Sequence, residues 1–426
     1  MKKVLLLAVF ALATAVMYAG GYRVSLQGQK SLAMGHTGVA VVNSSELVFF
    51  NPAGLVYLED RLNITGGVSG VFSNVSYQNE LTGDFAETDS PVGTPFYLYA
   101  SYKANDWLSF GLGIYTPFGS RVEYEDDWAG SHLVNNIELV AVYVQPTVSV
   151  KLSDHFSIGG GPILAIGSVN FNRNLTRNLT DIDGNRSNVT IDASGITEFG
   201  YSFGAMLNLD NQDKWKLGFN YRSQIDVQVE AGDGQATFAN IPDSPLAPIT
   251  NGDFDFTASL PLPAEWTVGF SYKPNDKWLF AVDYNYAEWS AYDSLDLNFL
   301  AADGTVALES INPRNYKDAS TIRLGVQYSP IDKIDLRAGY YFDESPVQDG
   351  FFAPETPRND SNGFTAGLSF NVSEKLAIDA SFLYLNFKEI DASYDAFLES
   401  DGTPAPFAGT YKSSAVVAGL GLSYKL

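Results

Sequence analysis

Two arginines are the residues of this sequence whose type and spacing suggest contact with a ligand. Arg323 and Arg337 fall on the polar side of segments that alternate polar and apolar residues. A guanidinium fork matches a carboxylate, so either arginine could bind the acid group of a ligand. Asp335 and Asp343 lie close by with the same parity, so an internal ion pair is the favoured alternative.

The histidines do not suggest catalysis. His36, His132 and His155 are scattered along the chain and predict neither a metal cluster nor a nucleophilic triad. The stretch DIDGN at 181–185 lacks the ligand spacing and the distal glutamate of a calcium-binding loop, and a glycine-containing turn is favoured there. We therefore expect no enzyme, no cofactor and no metal site.

Net charge narrows the range of partners. The 426 residues carry a formal charge of -23, which argues against binding to nucleic acid because that requires a basic face. Acid-rich surface loops explain the charge more simply. One acidic run could bind divalent cations among lipopolysaccharide, although a solvated loop is the alternative; it contains Glu123, Glu125, Asp126 and Asp127.

The first 19 residues have the features of a secretory signal peptide. Lys2 and Lys3 precede the apolar run 4–15, and small residues follow up to Ala19. Beyond residue 19, no stretch approaches the roughly 18 apolar residues of a transmembrane helix. The mature chain is therefore either soluble and secreted or a closed transmembrane β-barrel. The 24 Tyr, 28 Phe and 38 Gly favour the barrel. The sequence contains no cysteine, which excludes a disulfide scaffold.

Alternation with a period of two residues runs through much of the chain. Residues 139–150, 215–222, 321–328 and 334–343 each alternate apolar side chains with polar or small ones, as β-strands with two different faces do. The polar, glycine-rich face suits a wet lumen and the apolar face suits lipid. Four aromatic residues lie just after short polar turns and predict one interfacial girdle: Trp107, Phe156, Trp215 and Trp278.

The connections between these segments alternate between short and long. Six are short, at 103–106, 153–154, 211–214, 274–277, 329–333 and 373–375. Seven are long, near 77–93, 117–137, 172–194, 231–253, 300–318, 344–360 and 389–411. Outer-membrane barrels have tight periplasmic turns and long external loops. We therefore predict an all-β fold, an antiparallel barrel of 14 strands over residues 61–426. Its apolar last strand is the kind of signal that barrel-assembly machinery recognises.

Residues 20–60 precede the first predicted strand and do not alternate cleanly. They contain Asn51, Pro52, Ala53 and Gly54, in which Pro52 fixes its own φ and Gly54 permits a tight reversal. About 40 residues can fold inside a 14-stranded barrel, so we predict a plug, or hatch, in the lumen. The alternative is that the four residues merely form a turn before strand one.

Several stretches together resemble the FadL/TodX family of outer-membrane transporters for hydrophobic compounds. The resemblance covers nearly the whole mature chain, and it is the order of the stretches that is specific. They are GGYRV at 20–24, SLAMG at 31–35, NPAGL at 51–55, GLGIYTPFG at 111–119, LPAEWTVG at 262–269, DYNYAEWS at 283–290 and YFDESPV at 341–347.

The resemblance implies a route for the ligand. In the family, ligand enters through the long loops, binds in an apolar pocket, and leaves sideways into lipid after the hatch shifts. By that analogy Gly111 and Gly113 mark the kinked third strand at the lateral opening, with 51–53 against it. Glycine within a strand weakens pairing, which suits this role. The hatch residues Tyr22, Phe49 and Phe50 either line the ligand pocket or form the hatch's own core, and both readings remain open.

The expected function is passive outer-membrane transport of hydrophobic small molecules, most of all long-chain fatty acids. A fatty acid gains about 0.8 kcal/mol for each CH₂ removed from water, so a lateral exit from an apolar pocket into lipid avoids a costly aqueous passage. A nonspecific aqueous porin and an adhesive or structural surface barrel are the alternatives. The partners expected besides the ligand are outer-membrane lipid and lipopolysaccharide, and a monomer is expected.

Overall fold

The computed structural model describes residues 21–125, 128–175, 179–245, 247, 249–398 and 402–426. These residues form a closed antiparallel barrel of 14 strands, which confirms the predicted fold. The predicted signal peptide, Asp126 and Asp127 lie outside the described residues. The strands are β1 (Leu62–Gln78), β2 (Phe96–Asn105), β3 (Leu108–Glu123), β4 (Asn136–Lys151), β5 (Phe156–Asn174), β6 (Asn188–Asn208), β7 (Trp215–Arg222 and Ile225–Val229), β8 (Gly252–Leu262 and Glu265–Asn275), β9 (Trp278–Ala287), β10 (Ala319–Ile331), β11 (Ile334–Asp343), β12 (Ser361–Asn371), β13 (Leu376–Phe387) and β14 (Phe407–Lys425).

Each strand pairs with the next, and the barrel closes where β1 pairs with β14. That closing register runs from Asn63 opposite Lys425 to Gln78 opposite Thr410. The six predicted short connections are all present as short turns, and long connections alternate with them. A tight turn can join only neighbouring antiparallel strands, so this alternation fixes an up-and-down topology.

Five shorter strands extend the wall at the end that carries the long loops: Phe85–Glu87, Gly234–Ala239, Leu297–Leu300, Val306–Ser310 and Ile390–Tyr394. One predicted loop boundary is corrected by them. The connection predicted at 300–318 begins directly after Ala287 and contains the hairpin of 297–300 with 306–310. Both segments of this hairpin are β-strands, but they belong to the long connection that follows β9.

The two faces of the barrel wall differ as the alternation predicts. Side chains that point outward, such as Leu324 and Leu420, are exposed. Side chains at the alternate positions of the strands point inward and are buried, such as Gln145 and Arg323. Trp107, at the short-turn end, is 54% exposed, in keeping with an aromatic girdle at a membrane interface. No helix among the described residues is long and apolar enough to cross a membrane.

Residues 21–61, here called the N-terminal segment, lie within the ring of strands. They form α1 (Gln29–Leu32), α2 (Leu47–Phe50) and a 3₁₀-helix (Pro52–Tyr57), and most of their side chains are buried. The segment is tied to opposite sides of the wall. The backbone N–H of Gly35 donates to Thr365 Oγ1 on β12 (2.8 Å), and Gln145 Nε2 on β4 donates to the Val48 carbonyl (2.8 Å).

Candidate functional site

The Asn51-Pro52-Ala53 sequence anchors the N-terminal segment to the wall at β5 and β6. The Asn51 amide donates to the carbonyl of Ala205 on β6 (3.0 Å), and its Oδ1 accepts from the Ala53 N–H (3.2 Å). The Ala53 carbonyl accepts from Ser157 Oγ on β5 (2.7 Å). The short polar side chain of Asn51 therefore starts the 3₁₀-helix and also holds it against the barrel, with Pro52 at its first position.

Two wall glycines allow this close approach. A Cβ on Gly204 would lie 2.2 Å from Asn51 Oδ1, and one on Gly159 would lie 2.6 Å from the Pro52 carbonyl carbon. Gly54 is equally constrained, because its Cβ would lie 2.7 Å from the Leu47 side chain. The predicted hatch sequence is therefore tightly packed against the wall and is not an isolated turn.

Gly111 and Gly113 contact the N-terminal segment from β3. A Cβ on Gly111 would lie 2.8 Å from the side chains of Val48 and Leu55, and one on Gly113 would lie 2.9 Å from Val48. Strand pairing is regular at both glycines, opposite β2 and β4. The register shift of β3 against β4 lies further along, between Tyr115 and Phe118. The two glycines make room for the segment, and the irregularity predicted for this strand lies at Thr116 and Pro117.

The wall is incomplete beside that irregularity. β2 begins only at Phe96, so its pairing with β3 stops at Tyr115 and leaves the rest of that edge of β3 without a barrel strand. The N-terminal segment fills part of this edge. Arg23 forms an isolated antiparallel bridge with Phe118, flanked by bonds from the Val24 N–H to the Pro117 carbonyl (2.8 Å) and from the Gly119 N–H to the Tyr22 carbonyl (3.0 Å).

An apolar cavity of about 410 Å³ lies in the half of the lumen nearer the long loops. Its size suits a small or medium-sized apolar ligand. Tyr22 lies on its wall, whereas Phe49 and Phe50 do not; these two phenylalanines pack on each other and on His36. Its apolar lining includes Phe118, Leu139, Ile191, Ile196, Val227, Val229, Phe256, Leu260, Leu262 and Phe299.

A second cavity, of about 420 Å³, borders the incomplete part of the wall. We call it the wall cavity. It reaches from residues of β1 and β3, such as Val71 and Gly119, to inward-facing residues of β11–β14, such as Tyr341 and Val417. Phe118, Leu139 and Val140 line both cavities. A single layer that includes the Phe118 ring therefore separates the apolar cavity from the wall cavity.

The two arginines singled out in the sequence have different surroundings. Arg337 is held by Gln327 Oε1 (2.8 Å), Ser369 Oγ (2.6 Å) and Asp335 (3.5 Å), so the favoured internal ion pair is confirmed for it. For Arg323 that expectation is wrong. It forms no ion pair or hydrogen bond with any described residue, because Asp343 is paired with Arg23 (2.9 Å).

Other sequence candidates have local roles. Asp181 Oδ1 accepts from the N–H groups of Asp183 (2.9 Å) and Asn185 (2.8 Å), which is the predicted turn. The three histidines are not brought together, and no group of three metal-binding side chains occurs among the described residues. Four charged residues on the apolar cavity were missed: Arg173, Glu309, Arg314 and Glu355. Arg314 and Glu355 form an ion pair between two long loops, and no strand periodicity reveals such a contact.

Taken together, a closed barrel with an internal segment, an apolar cavity and an interrupted wall defines an outer-membrane channel protein for apolar compounds. Comparison with known proteins gives the family. Residues 10–426 match the model of the outer membrane protein transport protein family (OMPP1/FadL/TodX). The chain belongs to this family, whose members transport hydrophobic compounds across the outer membrane, and the predicted outer-membrane location is confirmed.

Individual relatives are distant but cover the whole length. A putative outer membrane protein of Neisseria meningitidis is 27% identical over 100% of this chain and 98% of its own. A long-chain fatty acid transport protein of Escherichia coli is 22% identical, covering 93% of this chain and 92% of its own. The crystal structure of a Pseudomonas aeruginosa FadL homologue has the same fold. It is 18% identical, has a TM-score of 0.79, and the match covers 95% and 99% of the two chains.

Proposed function

We propose that this protein carries long-chain fatty acids passively across the outer membrane. The observation that carries the proposal is the apolar cavity with arginine at its edge. Apolar side chains surround most of the 410 Å³, and two arginines and two glutamates lie on its border: Arg173, Arg314, Glu309 and Glu355. Arg314 is neutralised by Glu355. Arg173 donates to Ser310 Oγ (3.1 Å) and is paired with no carboxylate in the described part of the chain.

A guanidinium that forms no ion pair beside an apolar cavity suits an amphiphile with an acidic head. The acyl chain gains about 0.8 kcal/mol per buried CH₂, and Arg173 supplies a partner for the carboxylate. A neutral hydrocarbon would gain only the first term. The head-group arginine proposed here is Arg173, in place of Arg323 and Arg337, which do not line this cavity.

The exit that we propose is lateral. A shift of the N-terminal segment at Tyr22–Val24 would free the edge of β3 and displace Phe118, joining the apolar cavity to the wall cavity. The ligand would then pass from the wall cavity into lipid without crossing water. No energy source is required if the cell consumes the ligand inside. An aqueous porin fits less well, because residues 21–61 occupy the lumen.

Growth on oleate tests this function. An outer-membrane mutant that cannot take up fatty acids is complemented with the wild type, with Arg173→Gln, or with a deletion of residues 43–56 that still reaches the membrane. We expect the wild type to restore growth and the deletion variant to restore none. Arg173→Gln should raise the oleate concentration needed for half-maximal growth.

The control arm uses toluene in place of oleate. Because toluene has no carboxylate, Arg173→Gln should leave its entry unchanged. If folded wild-type protein in the membrane restores no growth on oleate but admits toluene, the fatty-acid assignment is wrong and an aromatic hydrocarbon becomes the better candidate.

A further inference from the structure

A small polar cavity lies between the N-terminal segment and strands β7–β10. Its volume is about 20 Å³, which exceeds the roughly 10–15 Å³ required by one water molecule. We call it the arginine cavity, because Arg23, Arg222 and Arg323 all line it. The one carboxylate on its lining is Glu265, so positive charge predominates around it.

Arg323 has an unusual position for a buried arginine. Its strand partner across the β9–β10 register is Asp283, an acid that could neutralise it. The two form no ion pair. Asp283 accepts the N–H groups of Gly38 (2.8 Å) and Val39 (3.2 Å) through Oδ2, and its Oδ1 is buried without a hydrogen-bond partner among the described residues. The Arg323 side chain is 5% exposed and borders the arginine cavity, which Asp283 does not. A buried charge without a partner costs several kcal/mol or more.

Three neighbouring groups also lack partners. The Nε atoms of Arg23 and Arg222 are buried and have no acceptor among the described residues, although each terminal nitrogen of both arginines donates at least one hydrogen bond. Both ring nitrogens of His36 are likewise buried and unpartnered within the described chain. Buried polar groups are normally satisfied, so donors that share one cavity indicate that something accepts from them.

We propose that Arg23, His36, Arg222 and Arg323 form a buried site for one small monovalent anionic group. The group is a free anion the size of chloride or the carboxylate end of an amphiphile, since both have the same charge and accept N–H donors. Two of the four residues belong to the N-terminal segment and two to the wall. An anion bound between them therefore ties the segment to β7 and β10. Arg23, His36, Arg222 and Arg323 do not line the apolar cavity, so this site is separate from it.

The test measures thermal unfolding of the purified protein in a nonionic detergent. Sodium chloride is titrated against sodium gluconate at constant ionic strength, because gluconate is too large for the cavity. A ligand that binds only the folded state stabilises it by mass action. We expect chloride to raise the melting temperature of the wild type by about 2 °C or more, and Arg323→Gln to abolish the rise.

Arg337→Gln is the matched control. It removes another buried inward-facing arginine of the neighbouring strand, but Arg337 does not border the arginine cavity, so its chloride response should equal that of the wild type. Octanoate replaces chloride in a parallel arm. A response to octanoate alone that depends on Arg323 assigns the site to the carboxylate of an amphiphile, whereas a response to chloride assigns it to a free anion.

Anomalous diffraction from crystals grown in sodium bromide locates the anion without relying on stability. A bromide peak between Arg222 and Arg323 supports the site. Water alone in that cavity, together with equal melting responses of the wild type and Arg323→Gln to both anions, would overturn the proposal. Neither result bears on oleate uptake, so this site and the proposed transport function fail separately.

Discussion

The backbone of Arg23 pairs with that of Phe118, so the N-terminal segment supplies a short piece of strand at the edge of β3 that no barrel strand covers. The Arg23 side chain spreads to the opposite side of the lumen, where it contacts Glu265 (3.1 Å), Thr321 (2.8 Å) and Asp343 (2.9 Å). One residue therefore links the interrupted wall to β8, β10 and β11. The Phe118 ring separates the two cavities at the same point.

Locking this pair should stop transport if the segment must move. Arg23 and Phe118 form a non-hydrogen-bonded antiparallel pair, whose Cα atoms lie about 4.5 Å apart in regular geometry, close enough for a disulfide. The sequence contains no cysteine, so Arg23→Cys together with Phe118→Cys would introduce the only two thiols. We expect oleate uptake to fall at least tenfold in the oxidised double variant and to return on reduction.

The reduced double variant is the internal control, because it carries the same substitutions. Single variants with one cysteine should respond to neither oxidant nor reductant. Equal uptake by the oxidised and reduced double variants, with the disulfide verified by mass, would show that ligand leaves without separating this pair.

A methyl group on Gly111 should disturb the packing of the N-terminal segment. Its Cβ would lie 2.8 Å from both Val48 and Leu55, and overpacking of this kind costs about 1–3 kcal/mol. We expect Gly111→Ala to make residues 21–61 accessible to protease added from the periplasmic side while the barrel stays folded. Gly70→Ala on β1 is the matched control, since its nearest neighbour would lie at an ordinary 3.4 Å. Equal protease resistance of both variants would show that the packing of the N-terminal segment does not require glycine at position 111.

The barrel could be predicted from the sequence because its signals are local. A strand that faces lipid and lumen alternates with a period of two, and a tight turn declares itself within a few residues. Both signals are visible at Trp215–Arg222 and its preceding turn. The same parity correctly placed Arg323 and Arg337 inside the lumen, since it fixes the direction in which a side chain points.

The site was less predictable because parity gives direction without partners. Asp343, an expected partner for Arg323, is instead paired with Arg23. The two paired residues are 320 positions apart in the sequence, so no local pattern predicts the contact. Gly111 and Gly113 suggested a bend, yet they are glycines because Val48 and Leu55 pack on them. Phe118 lies in a stretch that the resemblance included, but only three-dimensional contacts show that it separates two cavities.

Stability should depend on pH through Asp360, in the loop directly before β12. Burial raises the pKa of this carboxyl to about 7, against the opposing effect of Lys388 and Lys317. The folded state therefore holds a proton that the unfolded state, with an ordinary pKa near 3.9, has already lost. Stability from this group is present below about pH 4 and declines as the pH rises to about 7.

Asp360→Asn removes that dependence. We expect the melting temperature of the wild type to fall between pH 4 and pH 7 more steeply than that of the variant, which keeps the shape of the side chain but cannot ionise. Parallel pH profiles of the two proteins, measured in the same detergent, would show that Asp360 is ionised in the folded loop.

Filling the apolar cavity should reduce transport without unfolding the barrel. Val227 lies on the cavity lining, so Val227→Trp places a large ring where the acyl chain would lie. Val268, on neighbouring β8, points outward and is 39% exposed, so Val268→Trp adds the same ring on the lipid face, where tryptophan is tolerated near the membrane interfaces. We expect Val227→Trp to lower the oleate uptake rate at least fivefold and Val268→Trp to leave it near the wild-type rate. If both variants keep the wild-type rate while heat-modified gel migration shows folded barrels, the ligand does not pass through this cavity.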